Sequence, residues 1–272
     1  MAALPFFRSA RRRRVLAERP IADSLWDWAL RSHRLFAKLD AGEARRLREL
    51  ATIFLAEKTF TALGAAAVDD EFKVSVAAQA CLPLLGLADD WRAIDWYDDW
   101  STLLITEREY KVAKRDWIGD YAVEEYDDEL SGEVFELGPV ALSKADVEQS
   151  GWGDGYNVVI HEMAHKLDAR GGGYDGCPPL RRGMDRGEWR RVFGAAFADL
   201  RARLAERRPP RRRHGKLKRG AGPRLDDYAA ENPGEFFAVC CEYYFERPAL
   251  LAAEYPEVFA LLVRFFGREH RT

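Results

Sequence analysis

Cysteine is scarce: Cys81, Cys177, Cys240 and Cys241 are the only four in 272 residues. Their spacing matches neither a disulfide framework nor a four-cysteine metal knuckle. A reducing cytoplasm is the compartment this usage implies. No run of eighteen apolar residues occurs, so no membrane span is expected. The basic start, MAALPFFRSARRRRV, leads into no long apolar stretch and does not read as a secretory signal. Neither sign of charge dominates, with 42 Lys and Arg against 45 Asp and Glu. The global electrostatic signature of a nucleic-acid binder is therefore missing. No fixed repeat is found either. Apolar material, by contrast, is plentiful. A hydrophobic share of 47% suffices for the core of one large domain and excludes disorder along the whole chain.

Charge is nonetheless uneven along the chain. Arg8 and Arg11 to Arg14 make a basic patch, and the stretch Arg207 to Arg224, RRPPRRRHGKLKRGAGPR, holds no acid at all. Proline, glycine and like charge predict a mobile surface loop over 207–224. The loop is read either as a solvated insertion or as a docking patch for an acidic partner. It contains no aromatic residue on which bases could stack, so direct nucleic-acid binding is not expected. Residues 1–20 read as a basic flexible segment, frayed or weakly touching a membrane surface. Residues 21–272 read as a single domain that includes the basic loop.

Hydrophobic spacing makes that domain α+β and mainly helical. Ile21, Leu25 and Trp28 share one helical face. Leu47, Leu50, Ala51, Phe54 and Leu55 mark a second helix ending near Gly64, and a third runs from Val74 to Leu85, weakened at Pro83. Trp26, Trp28, Trp91, Trp96 and Trp100 are expected as core or half-buried anchors rather than binding groups. Short strands are expected at STLLITE (Ser101 to Glu107), GEVFELG (Gly132 to Gly138) and PVALS (Pro139 to Ser143), forming a small twisted sheet. Helices follow over Asn157 to Asp168, after an Asp185–Glu188 capping pair, from Asn232 and Pro233, and over Glu257 to Phe266.

The chemistry concentrates at His161-Glu162-Met163-Ala164-His165. Residues four apart lie on one helical face, so both imidazoles can meet one metal ion. Glu162 sits about 100° round the helix, where it can reach a water without joining the ligands. Zinc accepts neutral imidazole and acidifies water, and an adjacent carboxylate can take and return the proton. Only five histidines occur in the chain, so the pair is not a by-product of abundance. His33, His214 and His270 sit in contexts that suggest no ligation.

An open catalytic site needs a third protein ligand, and the residues after His165 read KLDARG, which continue no longer histidine motif. The block Leu225 to Phe245, LDDYAAENPGEFFAVCCEYYF, offers Glu231, Glu235 and Glu242. With Asn232 as cap, Glu235 falls at the third helical position, where completing a capping box competes with ligation. Glu242 lies two turns on, as an alternative ligand or an acceptor for a ligand histidine. Asp168 follows His165 by three residues and can bond a ligand histidine or sit exposed at the helix end. Taken by itself, Tyr228 reads as a buried aromatic with a satisfied hydroxyl.

HEMAHKLD at His161 to Asp168, with DDYAAENPGEFFAVCCEYYF at Asp226 to Phe245, resembles the bacterial Mlc titration factor A family. AAQACLPLLGL and GPVALSKADV extend the likeness over most of the chain. The family is one of cytoplasmic zinc metallopeptidases similar in their catalytic region to anthrax lethal factor. The resemblance implies a zincin-like fold and one catalytic zinc ion held by His161, His165 and Glu235. It further implies Glu162 as general base and Tyr228 as an active-site tyrosine. It suggests aminopeptidase-like cleavage of a peptide substrate, and a second role in which an Mlc-like glucose-responsive repressor is sequestered. The basic run Arg207 to Arg224 is a departure from the family pattern.

Overall fold

The computed structural model describes residues 5–107, 138–206 and 225–267. The expected strand at 132–138, all but its last residue, and the expected mobile loop 207–224 lie outside them. Ten α-helices are described, in chain order: α1 (Pro5–Glu18), α2 (Asp23–Ser32), α3 (Ala41–Glu57), α4 (Asp70–Cys81), α5 (Lys144–Gln149), α6 (Val158–Ala169), α7 (Arg186–Ala205), α8 (Pro233–Glu246), α9 (Pro248–Glu254) and α10 (Pro256–Phe266). Three strands, β1 (Thr59–Ala62), β2 (Thr102–Thr106) and β3 (Val140–Ser143), form an open parallel sheet in the order β1-β2-β3. Among the described residues, no single helix is long and apolar enough to cross a membrane.

Local chemistry explains most boundaries. Asp40 and Glu43 exchange the two bonds of a capping box at the start of α3. Asn157 caps α6 and Asn232 caps α8, each side-chain oxygen accepting a backbone N–H three residues on. At α7, Asp185 accepts from the Glu188 amide, while the Glu188 carboxylate pairs with Arg264 instead of closing the box. Pro83 ends the α-helical part of the third predicted helix: α4 stops at Cys81 and a 3-10 turn carries the chain over Leu82–Gly86.

Two expectations are corrected. The helix expected to end near Gly64 stops at Glu57, and Thr59–Ala62 become β1 against β2. Thr59, Phe60 and Thr61 favour extended backbone, but their partner strand lies more than forty residues away, beyond any local pattern. The N-terminal segment, expected as flexible, is the helix α1 packed on α3. Arg12 is 3% exposed and donates two bonds to Glu57 (2.7 and 3.0 Å), one to Asp98 (3.0 Å) and one to Asp95. A guanidinium shared among three carboxylates can bear desolvation that an isolated charge cannot. Composition could not reveal this, because the carboxylates come from distant parts of the chain.

The core runs continuously through the helices, with α8 at its centre. Every residue of α8 from Gly234 to Glu246 is buried, including Glu235, Glu242 and Glu246. Phe236 and Phe237 anchor it against Phe193 and Trp189 of α7. Trp26 and Trp100 are buried, and Trp28, Trp91 and Trp96 pack half-buried on the core, as expected. All four cysteines are buried and free. Helix α6 lies across α8, and Lys166 ties it to the lead-in of β3 by donating to the Gly138 carbonyl at 2.8 Å.

Between α6 and α7, the loop ending at Gly176 meets the start of α8. Gly176 has φ +73°, and a Cβ there would stand 2.5 Å from the Pro233 carbonyl oxygen. Its carbonyl accepts from Trp189 Nε1 at 2.8 Å. Gly176→Ala is expected to cost about 3 kcal/mol through backbone strain and overpacking. Denaturant unfolding checks this; a change under about 0.5 kcal/mol would show that the loop yields freely.

Candidate metal centre

His161 and His165 project from one face of α6 towards Glu235 in the first turn of α8. His161 Nε2 stands 3.0 Å from Glu235 Oε2, His165 Nε2 stands 3.3 Å from the same oxygen, and the two Nε2 atoms are 3.1 Å apart. Ligands at zinc bond lengths of about 2.0–2.1 Å in tetrahedral array lie about 3.3 Å from one another. The three donor atoms therefore form a triangle of the size such an ion requires. They are the one group of three metal-ligating side chains that converges among the described residues. Two imidazoles and one carboxylate suit zinc and leave a fourth position for water or substrate.

The cap at Asn232 and the convergence at Glu235 do not compete. Asn232 Oδ1 accepts from the Glu235 backbone amide at 2.9 Å, leaving the carboxylate to face the histidines. Burial works against ionising Glu235, but hydrogen bonds to His161 and His165 win and hold it well below the usual carboxylate range. Burial likewise opposes charge on His161, yet Glu235 and Glu242 outweigh it and push its pKa up to about 10.

Of the other sequence candidates, Glu242 lies behind the triangle. Its Oε1 bonds His161 Nδ1 at 2.8 Å, which makes it an orienting acceptor and not a member of the cluster. Glu231 is exposed and outside the cluster. Asp168 is fully buried, so the exposed helix-end reading fails. Its Oδ2 accepts from the Gly176 amide at 2.8 Å and so pins the loop before α7; its Oδ1 and His165 Nδ1 have no hydrogen-bond partner among the described residues. Burial raises the Asp168 pKa to about 7. Glu162 is half-buried beside the triangle and contributes to the electrostatics of His161, Lys166 and Tyr228.

Tyr228 belongs to a 3-10 turn, Asp227–Ala230, capped by Asp226. It is 47% exposed, not buried, and its ring stands 5.9 Å from that of His161. Burial of its inner part, then the charges of Glu235 and Glu231, raise the phenol pKa. Sequence reasoning passed over Tyr174, whose ring meets His165 edge-on at 5.6 Å. It also passed over the buried polar groups behind Glu242, Asn157, Gln79 and Glu246. A glutamine inside the otherwise apolar run VAAQACLPLL was the available signal for Gln79.

Comparison with known proteins bears on this geometry. A family model described as glucose-regulated metallo-peptidase M90 matches residues 7–267. Proteins named Mlc titration factor A from Yersinia pestis (strain Pestoides F) and Yersinia pseudotuberculosis (strain YPIII) are each 31% identical over 257 residues. Those alignments cover 93% of this chain and 88% of each relative.

Proposed function

Because this chain belongs to the glucose-regulated metallo-peptidase M90 family, we propose that it is a zinc-dependent, zincin-like peptidase. Its substrates would be peptide or aminoacyl amides, cleaved in the manner of an aminopeptidase in the cytoplasm. The observation that carries the proposal is the triangle of His161 Nε2, His165 Nε2 and Glu235 Oε2 beside Glu162.

His161, His165 and Glu235 would hold the zinc, which when bound supplies Lewis acidity to polarise the scissile carbonyl and acidify water. Glu162 takes the proton of the attacking water and returns it to the departing amine. Tyr228, with its proton retained, donates to the carbonyl oxygen as negative charge develops there. Glu242 keeps the His161 ring turned so that Nε2 faces Glu235. β3 is the last strand of the sheet among the described residues and leads into the α5–α6 region, so an extended peptide can add along it by main-chain bonds.

Peptide-library cleavage by zinc-loaded and chelator-stripped protein tests this reading, and mapped products separate aminopeptidase from endopeptidase action. Activity restored by zinc is expected; no cleavage by fully zinc-loaded protein would contradict it. Tyr228→Phe is expected to keep its zinc and lower kcat by about 10²-fold, since one oxyanion donor is removed. Metal content measured beside kinetics checks that pair of results.

A second reading is favoured by the relatives' name, Mlc titration factor A. On this reading the chain binds and sequesters an Mlc-like transcriptional repressor, a role the name supports more directly than cleavage. The two are compatible, because docking need not use the metal site. Pull-down of such a repressor by wild type and by Glu235→Ala separates them: equal capture assigns binding to another surface, and no capture by either rejects the reading.

A further inference from the structure

Behind the metal triangle a chain of buried hydrogen bonds runs into the N-terminal helices. His161 Nδ1 meets Glu242 Oε1 at 2.8 Å, and Glu242 Oε2 accepts from the Asn157 amide at 2.6 Å. The Asn157 side-chain nitrogen donates to Glu246 Oε1 at 2.9 Å and to Gln79 Oε1 at 2.8 Å. The Gln79 amide donates to Ser75 Oγ at 3.2 Å, which lies 2.7 Å from His33 Nε2. His33 Nδ1 ends the chain on the Ser150 carbonyl at 3.2 Å. Gln79 and Asn157 are fully buried, and His33, Ser75, Glu242 and Glu246 are buried too.

The sense of each bond follows from its far end. A carbonyl only accepts, so His33 carries its proton on Nδ1 and accepts at Nε2 from the Ser75 hydroxyl. Ser75 is then free to accept from Gln79, whose oxygen faces the Asn157 amide. Asn157 thereby has both side-chain hydrogens committed, one to Glu246 and one to Gln79, while its oxygen caps α6 by accepting from Ile160 N at 2.9 Å. Its backbone N–H fixes one oxygen of Glu242, and the other oxygen accepts from His161 Nδ1. With that proton placed, the Nε2 lone pair is directed at the triangle.

We propose that Asn157, locked by Gln79 and Glu246, is a positioning residue for the metal centre. It sets Glu242, and through Glu242 the tautomer and ring orientation of His161, so that α4 helps to define metal affinity. The proposal rests on the metallopeptidase reading. It extends that reading to residues that neither touch the metal nor belong to the His-Glu motif.

The test uses the full chain. Asn157→Asp keeps the cap oxygen but removes the donors and adds a carboxylate beside Glu242 and Glu246. Zinc affinity, measured by competition with a chelator, is expected to fall about 10–100-fold. The ligand-field absorption of the cobalt-substituted protein should change with it, which a purely structural role would not cause in folded protein. Asn157→Asp combined with Glu246→Gln returns a donor and the original charge, and should recover affinity to within about threefold of wild type. Unchanged affinity and cobalt spectrum in folded Asn157→Asp would overturn the proposal, as would a folded double variant that recovers neither. Should Asn157→Asp fail to fold, Gln79→Met serves. It removes one partner of the Asn157 amide and should weaken zinc about threefold or more with an altered cobalt spectrum; wild-type values there would overturn the proposal. Wild type and Glu235→Ala run alongside. No zinc uptake by wild type would sink the metal centre and this proposal together, whereas wild-type uptake matched by Asn157→Asp sinks the positioning role alone.

Discussion

Glu162→Gln is expected to leave zinc binding intact and to cut peptide hydrolysis by about 10²–10⁴-fold. The two halves of that result come from different atoms. The donor triangle consists of His161, His165 and Glu235, and Glu162 is not part of it. Glutamine is nearly isosteric with glutamate, so α6 and the two imidazoles stay where they are. What disappears is a carboxylate able to accept a proton from water and release it to the leaving amine. Stability should barely move, because Glu162 is half-buried and its charge is not part of the buried network behind His161. Zinc content, thermal unfolding and kcat/KM measured on one preparation check all three statements. Turnover close to wild type would mean that another group serves as the base.

Glu235→Ala has the opposite signature. The triangle loses its only oxygen, and zinc affinity should drop by more than the roughly 10–100-fold that loss of an outer partner costs. Hydrolysis then falls because the metal is gone. The helix should survive: Asn232 caps the backbone amide of residue 235, not its side chain, and Pro233 still opens α8. A graded comparison makes the point sharper. Glu242→Gln, which weakens orientation of His161 while keeping the triangle, should lose zinc affinity within that 10–100-fold range. Equal losses in the two variants would contradict the distinction between the carboxylate in the triangle and the one behind it. Chelator competition followed by metal analysis distinguishes these outcomes.

The parts of this molecule that could be read from its sequence are those set by residues close together in the chain. HEMAH is a five-residue signal, and its helix begins at Asn157 because an asparagine oxygen three residues before Ile160 is a local cap. The same logic located the start of α8 at Asn232 and Pro233, whereas Pro83, expected only to weaken the last turn of a helix running to Leu85, ends α4 at Cys81. Glu235 was harder. Spacing left Glu231, Glu235 and Glu242 as alternatives, and capping looked like a rival to ligation. The structure separates the two roles by assigning the cap to the backbone of Glu235 and the histidines to its side chain.

What escaped local reading depends on distant partners. β1 is four residues long, its ends are exposed, and its register is fixed by the distant strand β2. α1 looked like a flexible basic tail because the carboxylates that accept Arg12 come from α3 and from the Asp95 to Asp98 region. The polar chain from His33 to Glu242 draws on α4, α8, the end of α2 and the segment between α5 and α6. No periodicity links those segments; only burial of each polar group beside a matching partner does.

The most direct measurement of the central claim is anomalous diffraction at the zinc absorption edge from crystals of zinc-loaded protein. The account predicts a single strong peak among His161 Nε2, His165 Nε2 and Glu235 Oε2, with the fourth position filled by water or substrate and not by protein. Absence of zinc after saturating exposure, a peak remote from Glu235, or a fourth protein ligand closing the site would contradict it.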